Sequence, residues 1–558
     1  MLELAGIFSN GMILQRGKPC RIFGHDDAAK EVTVELLGKT YQAEVENSAF
    51  AVEIPAQEAS TDITIVIQGS EMVELTDVCF GDVFFLTGQS NMELPVSRTL
   101  DLSKDEVDAS NYPYIRQFRV TPQYRLAEDQ TAKILPLKWT RAVPGEIGEM
   151  SAAGFYCSKR IYDAEQVPIG LVLGAQGGST IESWMPRDVL NEFGDFDGKI
   201  APFLPDGAVQ AYLQEREEHI AAWRRALESE DDTDLVAHTP EQIPEDAEPY
   251  TVPSILYGRT TPAGADGEMA AAQNAGQAAD ASGAQNAGAA ADDSGAQNAG
   301  ADGACRPWRG VVWFYKEFEL QNEPDPDAFL YVGNLIDADV TYVNGVQVGR
   351  IEYRYPPRKY PFDGSILRKG RNVITVRLLI EGGAGGFVGS HPYYIRSGAE
   401  KISLEGTWLR KWGKEAPLPQ KSFLMGQTIP TSLYRSTVFP LRQFAFRGIW
   451  WYQGESNTDD PARYNEKFSR MIESWRDLLQ QDLPVIAVEM PDYQDPLSGQ
   501  MPEGWPAVQD FQRQAEVEVP GCAVVYARDL FTPLELHPQR KSELGARMAE
   551  KALVLFYK

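Results

Sequence analysis

Histidine and cysteine are scarce, with five of each among 558 residues. Cys20, Cys79, Cys157, Cys305 and Cys522 are scattered, odd in number and never at a spacing such as Cys-x-x-Cys. That pattern excludes a disulfide framework and a cysteine-built zinc site, and leaves free thiols. Long apolar runs are missing too. None approaches the ~18 to 20 residues needed to span a bilayer, so a transmembrane chain is excluded. Positive charge is in deficit, with 52 Lys and Arg against 80 Asp and Glu and a formal charge of -28. Such a surface repels phosphate backbones and anionic lipid heads, so neither nucleic acid nor a membrane is an expected partner. The first residues carry no basic leader, apolar stretch and cleavage site in succession, and the expectation is a cytoplasmic protein.

What is present is the mix of a soluble globular chain: 43% apolar and 24% charged residues, with 24 Phe, 23 Tyr and 11 Trp. The length predicts roughly three or four domains. Residues 1–76 alternate short β-rich runs, such as Val32 to Leu36 and Ile63 to Ile67, with Gly, Asp and Pro, and read as a small β-sandwich. From Val83 the pattern changes to continuous apolar strands ending in Gly-rich turns. Val83 to Leu86 leads into Gly88-Gln89-Ser90-Asn91, and Ile169 to Leu173 into Gln176-Gly177-Gly178-Ser179. This is the signature of an α/β sheet covered on both faces, here over 77–186.

Val209, Leu213, Ile220, Trp223 and Leu227 recur at helical spacing and predict a helix over 205–228, inside a helical insertion spanning 187–261. Residues 262–305 are almost wholly Ala, Gly, Asn, Gln, Asp and Ser, with Ala-Gln-Asn-Ala-Gly repeating at 272, 284 and 296. A tract so poor in large apolar side chains cannot offset the entropy of ordering, and a disordered linker is expected. The β pattern returns over 306–413, where Asn344-Gly345 between two apolar runs predicts a tight hairpin, and a second β-sandwich follows. The α/β pattern resumes over 414–558, with strands at Gly448 to Tyr452, Val485 to Glu489 and Ala523 to Tyr526 and a closing helix over 539–556. The α/β domain is therefore split in sequence.

In an open α/β sheet, ligands bind at the carboxyl ends of the strands, which directs the search for chemistry to the turns there. Ser90 follows the first strand in a Gly-flanked turn, exposed and beside amide groups able to hold an oxyanion. From this feature alone, a helix cap is the simpler reading, since Ser is a favoured N-cap. A serine nucleophile needs a base, and only His25, His219, His238, His391 and His537 are available. His219 and His238 lie among polar and acidic neighbours, and His25 and His391 in Gly-rich turns of the β-domains. His537, before Pro538 and between the last strand and last helix, falls at the sheet's carboxyl edge. Glu535 and Asp529 are the two carboxylates able to reach back and orient it, and spacing does not choose between them. Oxyanion donors are available from the amides of Ser90, Gly177 and Gly178 and from Gln453; turn chemistry is the alternative role for Gln453 and Asn457.

Assembled in order, these motifs resemble the sialate O-acetylesterase family of the SGNH-hydrolase superfamily, related to acetylxylan esterases. They are Gly81-Asp82-Val83, Gly88-Gln89-Ser90-Asn91-Met92, Val167-Pro168-Ile169-Gly170-Leu171, Gly177 through Trp184, Trp451 through Asn457, and His537-Pro538 with Lys541 and Gly545 beyond. The resemblance covers nearly the whole length. It implies an α/β, flavodoxin-like three-layer hydrolase domain, split in sequence, with an N-terminal β-sandwich and an inserted galactose-binding-like jelly roll. It also implies a serine esterase that removes O-acetyl groups from carbohydrates without cofactor or metal. Ser90 would be nucleophile, His537 general base, and Ser90, Gly177, Gly178 and Gln453 the oxyanion hole. Gln89, Asn91, Glu455, Asn457 and Arg435 would support these groups or bind substrate. Two departures stand out: Glu535 occupies the place where the family usually has Asp, and Arg435 the place where relatives more often have Asn. The alternatives are an acetylxylan or other hemicellulose esterase and a noncatalytic carbohydrate-binding relative. A lipase is disfavoured, because the chain lacks a Gly-x-Ser-x-Gly elbow.

Overall fold

The computed structural model describes residues 1–126, 133–229, 233–258, 307–416 and 422–558. The repeat tract expected as a disordered linker, and Cys305 with it, lie outside these residues. Two compact units make up the rest. The first comprises Met1–Leu213, Leu424–Tyr493 and Pro502–Lys558; the second comprises Gln214–Phe423 and Gln494–Met501.

The first unit is organised by a mixed sheet. Its main path runs Thr140–Ala142, Tyr112–Arg119, Ile169–Leu173, Met72–Gly88, Gly448–Tyr452, Val485–Val488, Cys522–Val525. Apart from the antiparallel Thr140–Ala142 edge, these neighbours are parallel. The central strands are buried along their whole length, which is why they read as unbroken apolar runs rather than alternating ones. Helices cover both faces. On one, Tyr156, Cys157 and Ile161 of Ala152–Glu165 and Leu544, Met548 and Ala552 of Lys541–Tyr557 pack with Phe84, Leu86, Leu171 and Trp450 of the sheet. Gly545 lets these two helices touch, since a Cβ there would lie 2.5 Å from Tyr156 Cβ. On the other, Trp475 and Phe468 of Tyr464–Leu479 meet Phe85, Trp184 and Trp451.

The strand Met72–Gly88 is 17 residues long. Its first half pairs antiparallel with Ser60–Gln68, joining the N-terminal strands to the same sheet, and its second half is the central parallel strand. The boundary expected after residue 76 therefore falls inside one continuous strand. A further three-stranded sheet of Leu2–Leu4, Cys20–Asp26 and Ala49–Ile54 completes the N-terminal part. The four described cysteines, Cys20, Cys79, Cys157 and Cys522, are buried free thiols.

The second unit has two sheets, one of six strands and one of five, enclosing a core of Val312, Phe314 and Val376 from one and Leu330, Phe387 and Ile395 from the other. Asn344 and Gly345 both take positive φ, 47° and 77°, as the hairpin expectation requires. The helix expected over 205–228 is Ala208–Ser229. Residues 248–256, expected within a helical insertion, instead form the strands Glu248–Val252 and Ile255–Leu256, paired with Gly406–Glu415 and Gly385–Ser397. Their few alternating residues are too short a run to declare a strand locally; cross-strand pairing supplies the order. Among the described residues, no helix is long and apolar enough to cross a membrane.

Candidate active site

The carboxyl ends of the parallel strands gather the expected residues. Met72–Gly88 ends at Gly88, whose φ is +112° and whose Cβ, were there one, would lie 2.2 Å from the Tyr452 carbonyl oxygen of the next strand. Only glycine fits that approach. The chain then turns into the short helix Ser90–Glu93, with Gln89 as its N-cap. Ser90 is thus the first helical residue rather than the cap, and its side chain faces the last loop of the chain. There, Ser90 Oγ and His537 Nε2 lie 2.8 Å apart.

Asn91, the residue after Ser90, ties this pair together. Asn91 Nδ2 donates to the Leu536 carbonyl at 3.0 Å and to Glu455 Oε1 at 2.6 Å, while Asn91 Oδ1 accepts from Lys541 Nζ at 2.7 Å. Asn91 and Lys541 are both fully buried. Burial raises the Glu455 carboxyl above its usual range, with the Asn91 bond opposing. Burial draws Lys541 down to about 7 against the attraction of Glu455 and Glu535. His537 is pushed down to about 3, by burial first and then by the positive charges of Arg98 and Lys541. The imidazole is therefore neutral at physiological pH, the form in which a ring nitrogen can accept a proton.

Glu535 is half-buried two residues before His537, its carboxyl raised by burial and opposed by Lys541, a hydrogen bond from Thr532 and Arg540. Asp529, the other carboxylate considered, makes a two-pronged ion pair with Arg547 on the exposed surface.

The Gly177-Gly178 turn lies against Ser90: a Cβ on Gly177 would be 3.4 Å from Ser90 Cβ. The Gly177 amide donates to Glu93 Oε2 at 2.6 Å, and the Gly177 carbonyl accepts from Gln427 Nε2 at 3.1 Å. Glu93 in turn pairs with Arg119. Gly178 takes φ +73°. The Gln453 amide is committed within the protein: Nε2 donates to the Ser179 carbonyl at 3.0 Å and Asn457 Oδ1 at 2.7 Å, and Oε1 accepts from Tyr464 at 2.8 Å. Asn457 also accepts from the Ile181 amide at 2.9 Å and donates to Glu182 at 3.0 Å. Gln89 Oε1 accepts from the amides of Gly454 and Ser456. Gln89, Gln453 and Asn457 thus join three turns into one framework. Arg435 lies in the π-turn Tyr434–Val438 with its guanidinium 4.6 Å from the Phe439 ring centre, and Arg442 lies 4.4 Å from the same ring.

Sequence reasoning gave no role to Glu93 and Arg119, and noted Lys541 only as part of a motif. Glu93, three residues past Ser90 and so on its helical face, was the available signal; a lysine that opens an amphipathic helix gives none.

The family model for carbohydrate esterases described as sialic acid-specific acetylesterases matches residues 80–197 and 401–554. Ser90, Gly177 and Gly178 fall in the first matched stretch, Gln453 and His537 in the second. Just under half of the chain is thus similar to this sialate O-acetylesterase family. Among curated family members, sialate O-acetylesterase of Rattus norvegicus is 30% identical over 212 residues, covering 34% of this chain and 39% of that protein. The Homo sapiens sialate O-acetylesterase is 25% identical over 200 residues, covering 33% and 38%. The chain thus matches less than two fifths of the length of these relatives. A carbohydrate acetylesterase from Xanthomonas citri shares the fold, with a TM-score of 0.55 at 18% identity over 100% of this chain and 76% of that one.

Proposed function

We propose that this protein is a carbohydrate O-acetylesterase of the sialate O-acetylesterase type, built on an SGNH-hydrolase domain with a jelly-roll insertion. The observation that carries the reading is the 2.8 Å approach of Ser90 Oγ to His537 Nε2 at the carboxyl edge of the sheet, within a family whose members are named for this activity. Ser90 Oγ attacks the acetyl carbonyl carbon while His537 Nε2 takes its proton. The amides of Ser90 and Gly178 are the proposed oxyanion donors, because the Gly177 amide is held by Glu93 and Gln453 by its neighbours. When the intermediate collapses, the bond from carbonyl carbon to sugar oxygen breaks and His537 returns the proton to that oxygen. Water, deprotonated by His537, then attacks the acetyl-enzyme, acetate leaves, and Ser90 recovers its proton. Glu535 is the proposed orienting carboxylate; the ion pair of Asp529 with Arg547 argues against Asp529.

The test is turnover of p-nitrophenyl acetate and of 9-O-acetyl sialic acid by S90A and H537A. Each substitution is expected to lower kcat by about 10⁴- to 10⁶-fold. Wild-type turnover in either variant would overturn the assignment. Acetylated xylan oligosaccharides, run in parallel, decide whether the sugar is anionic or neutral.

A further inference from the structure

We propose that Lys541 is a positioning residue for the reaction, fixing the orientation of Asn91 so that Asn91 clamps the peptide preceding His537 against Ser90. The inference rests on the reading of Ser90 and His537 as nucleophile and base.

Below its titration at about 7, Lys541 is an ammonium and only donates hydrogen bonds. Whatever faces Lys541 Nζ at 2.7 Å must accept, so the Asn91 carboxamide is held with Oδ1 toward the lysine. Its two Nδ2 hydrogens are then directed at Glu455 Oε1 and the Leu536 carbonyl. Leu536 is the residue before the base and Asn91 the residue after the nucleophile, so one side chain spans both catalytic loops. Without the lysine, Asn91 Oδ1 loses its donor, and the carboxamide is held only from its Nδ2 side, by Glu455 Oε1 and the Leu536 carbonyl.

The surroundings are costly ones for a cation. Lys541 is fully buried, with the Tyr452 and Phe531 ring centres 5.2 and 5.4 Å from Nζ. Among the described residues, Glu455 Oε2 is buried without a hydrogen-bond partner. A buried charge beside an imperfectly satisfied carboxylate is expensive to keep for stability alone. The charged groups acting on Lys541 are Glu455 and Glu535, and those acting on the imidazole are Arg98 and Lys541 itself. Both cations oppose protonation of His537, so removing the lysine charge moves the imidazole's titration upward.

The near-isosteric K541M tests the proposal on the full-length protein with p-nitrophenyl acetate. The expected result is a folded variant with kcat lowered by about 10- to 100-fold, as for a small misplacement of a catalytic group. KM should change little, and the acid limb of the kcat/KM profile should move to higher pH. A folded K541M with wild-type kcat, or one whose kcat falls while the acid limb stays in place, overturns the proposal. Should K541M not fold, K541Q, which keeps a donor without the charge, reads the same limb: an upward shift supports the proposal and an unmoved limb overturns it. S90A separates the two claims. Turnover by S90A would sink the assignment of the nucleophile, whereas an inactive S90A beside a K541M indistinguishable from wild type would sink only the role of Lys541.

Discussion

The sharpest consequence of the site's electrostatics concerns acid. The His537 imidazole is held down to about 3, by burial and by the charges of Arg98 and Lys541, against an ordinary value of ~6.5. That difference favours the neutral ring by roughly 5 kcal/mol. The base should therefore remain competent well below the pH at which a solvent-exposed histidine is half protonated. For the wild-type protein, kcat/KM toward p-nitrophenyl acetate is expected to stay level from pH 8 to about pH 5 and to fall only below that. Arg98→Gln removes one of the two opposing cations and should shift the acid limb upward. The same shift has a sign in stability. Between about pH 3 and 6.5 the unfolded chain binds a proton at this position that the folded chain refuses, so stability rises with pH across that window. His537→Gln should flatten that part of a denaturation series run at several pH values. A wild-type acid limb centred at ~6.5 or above, or an Arg98→Gln limb displaced downward, would refute the reasoning.

Other expectations follow from single contacts. Gly177→Ala would place a methyl 3.1 Å from Glu93 Oε2 and 3.4 Å from Ser90 Cβ; kcat/KM should fall by about 10²-fold with Tm nearly unchanged, as steady-state kinetics and thermal unfolding would report. Asp529→Asn breaks only an exposed ion pair and should leave turnover at the wild-type level, whereas Glu535→Gln should lower it at least tenfold; the reverse ranking would make Asp529 the orienting carboxylate. Gly545→Ala puts a Cβ 2.5 Å from Tyr156 Cβ across the helix crossing and should cost about 1 to 3 kcal/mol in denaturant unfolding. In the second unit, the fully buried Arg358–Asp339 pair, with Asp339 also accepting from Thr341 and Tyr360, predicts a loss of about 3 to 5 kcal/mol for Asp339→Ala.

Much of this site was legible in the linear chain, for physical reasons that can be named. With five histidines in the whole sequence, elimination left one at a strand's carboxyl edge, and the serine turn was marked by a glycine whose necessity Tyr452 now explains. Asn344-Gly345 announced its hairpin because the turn demands two positive φ values. What stayed hidden depends on partners distant in sequence. Gln453 was read as an oxyanion donor, but its amide is taken up by Ser179 and Asn457. Glu93 is bound to a glycine amide, and Lys541 faces inward although its neighbours Arg540 and Glu543 are the usual residues of a solvated helix start. The continuous strand Met72–Gly88 was missed because its exposure pattern changes midway, from alternating to wholly buried.

The separation of Ser90 from His537 by 447 residues has a consequence for the protein's synthesis. Closing so long a loop is an entropic cost met only when the strands between the two residues have docked, and non-local sheet pairing of this kind is slow to form. In a growing chain Ser90 emerges 447 residues before His537, its proposed partner. On the proposed mechanism, partial products that lack His537 contain a serine without means of activation. A truncation that removes His537 would, on the same reading, silence Ser90 while leaving it in place.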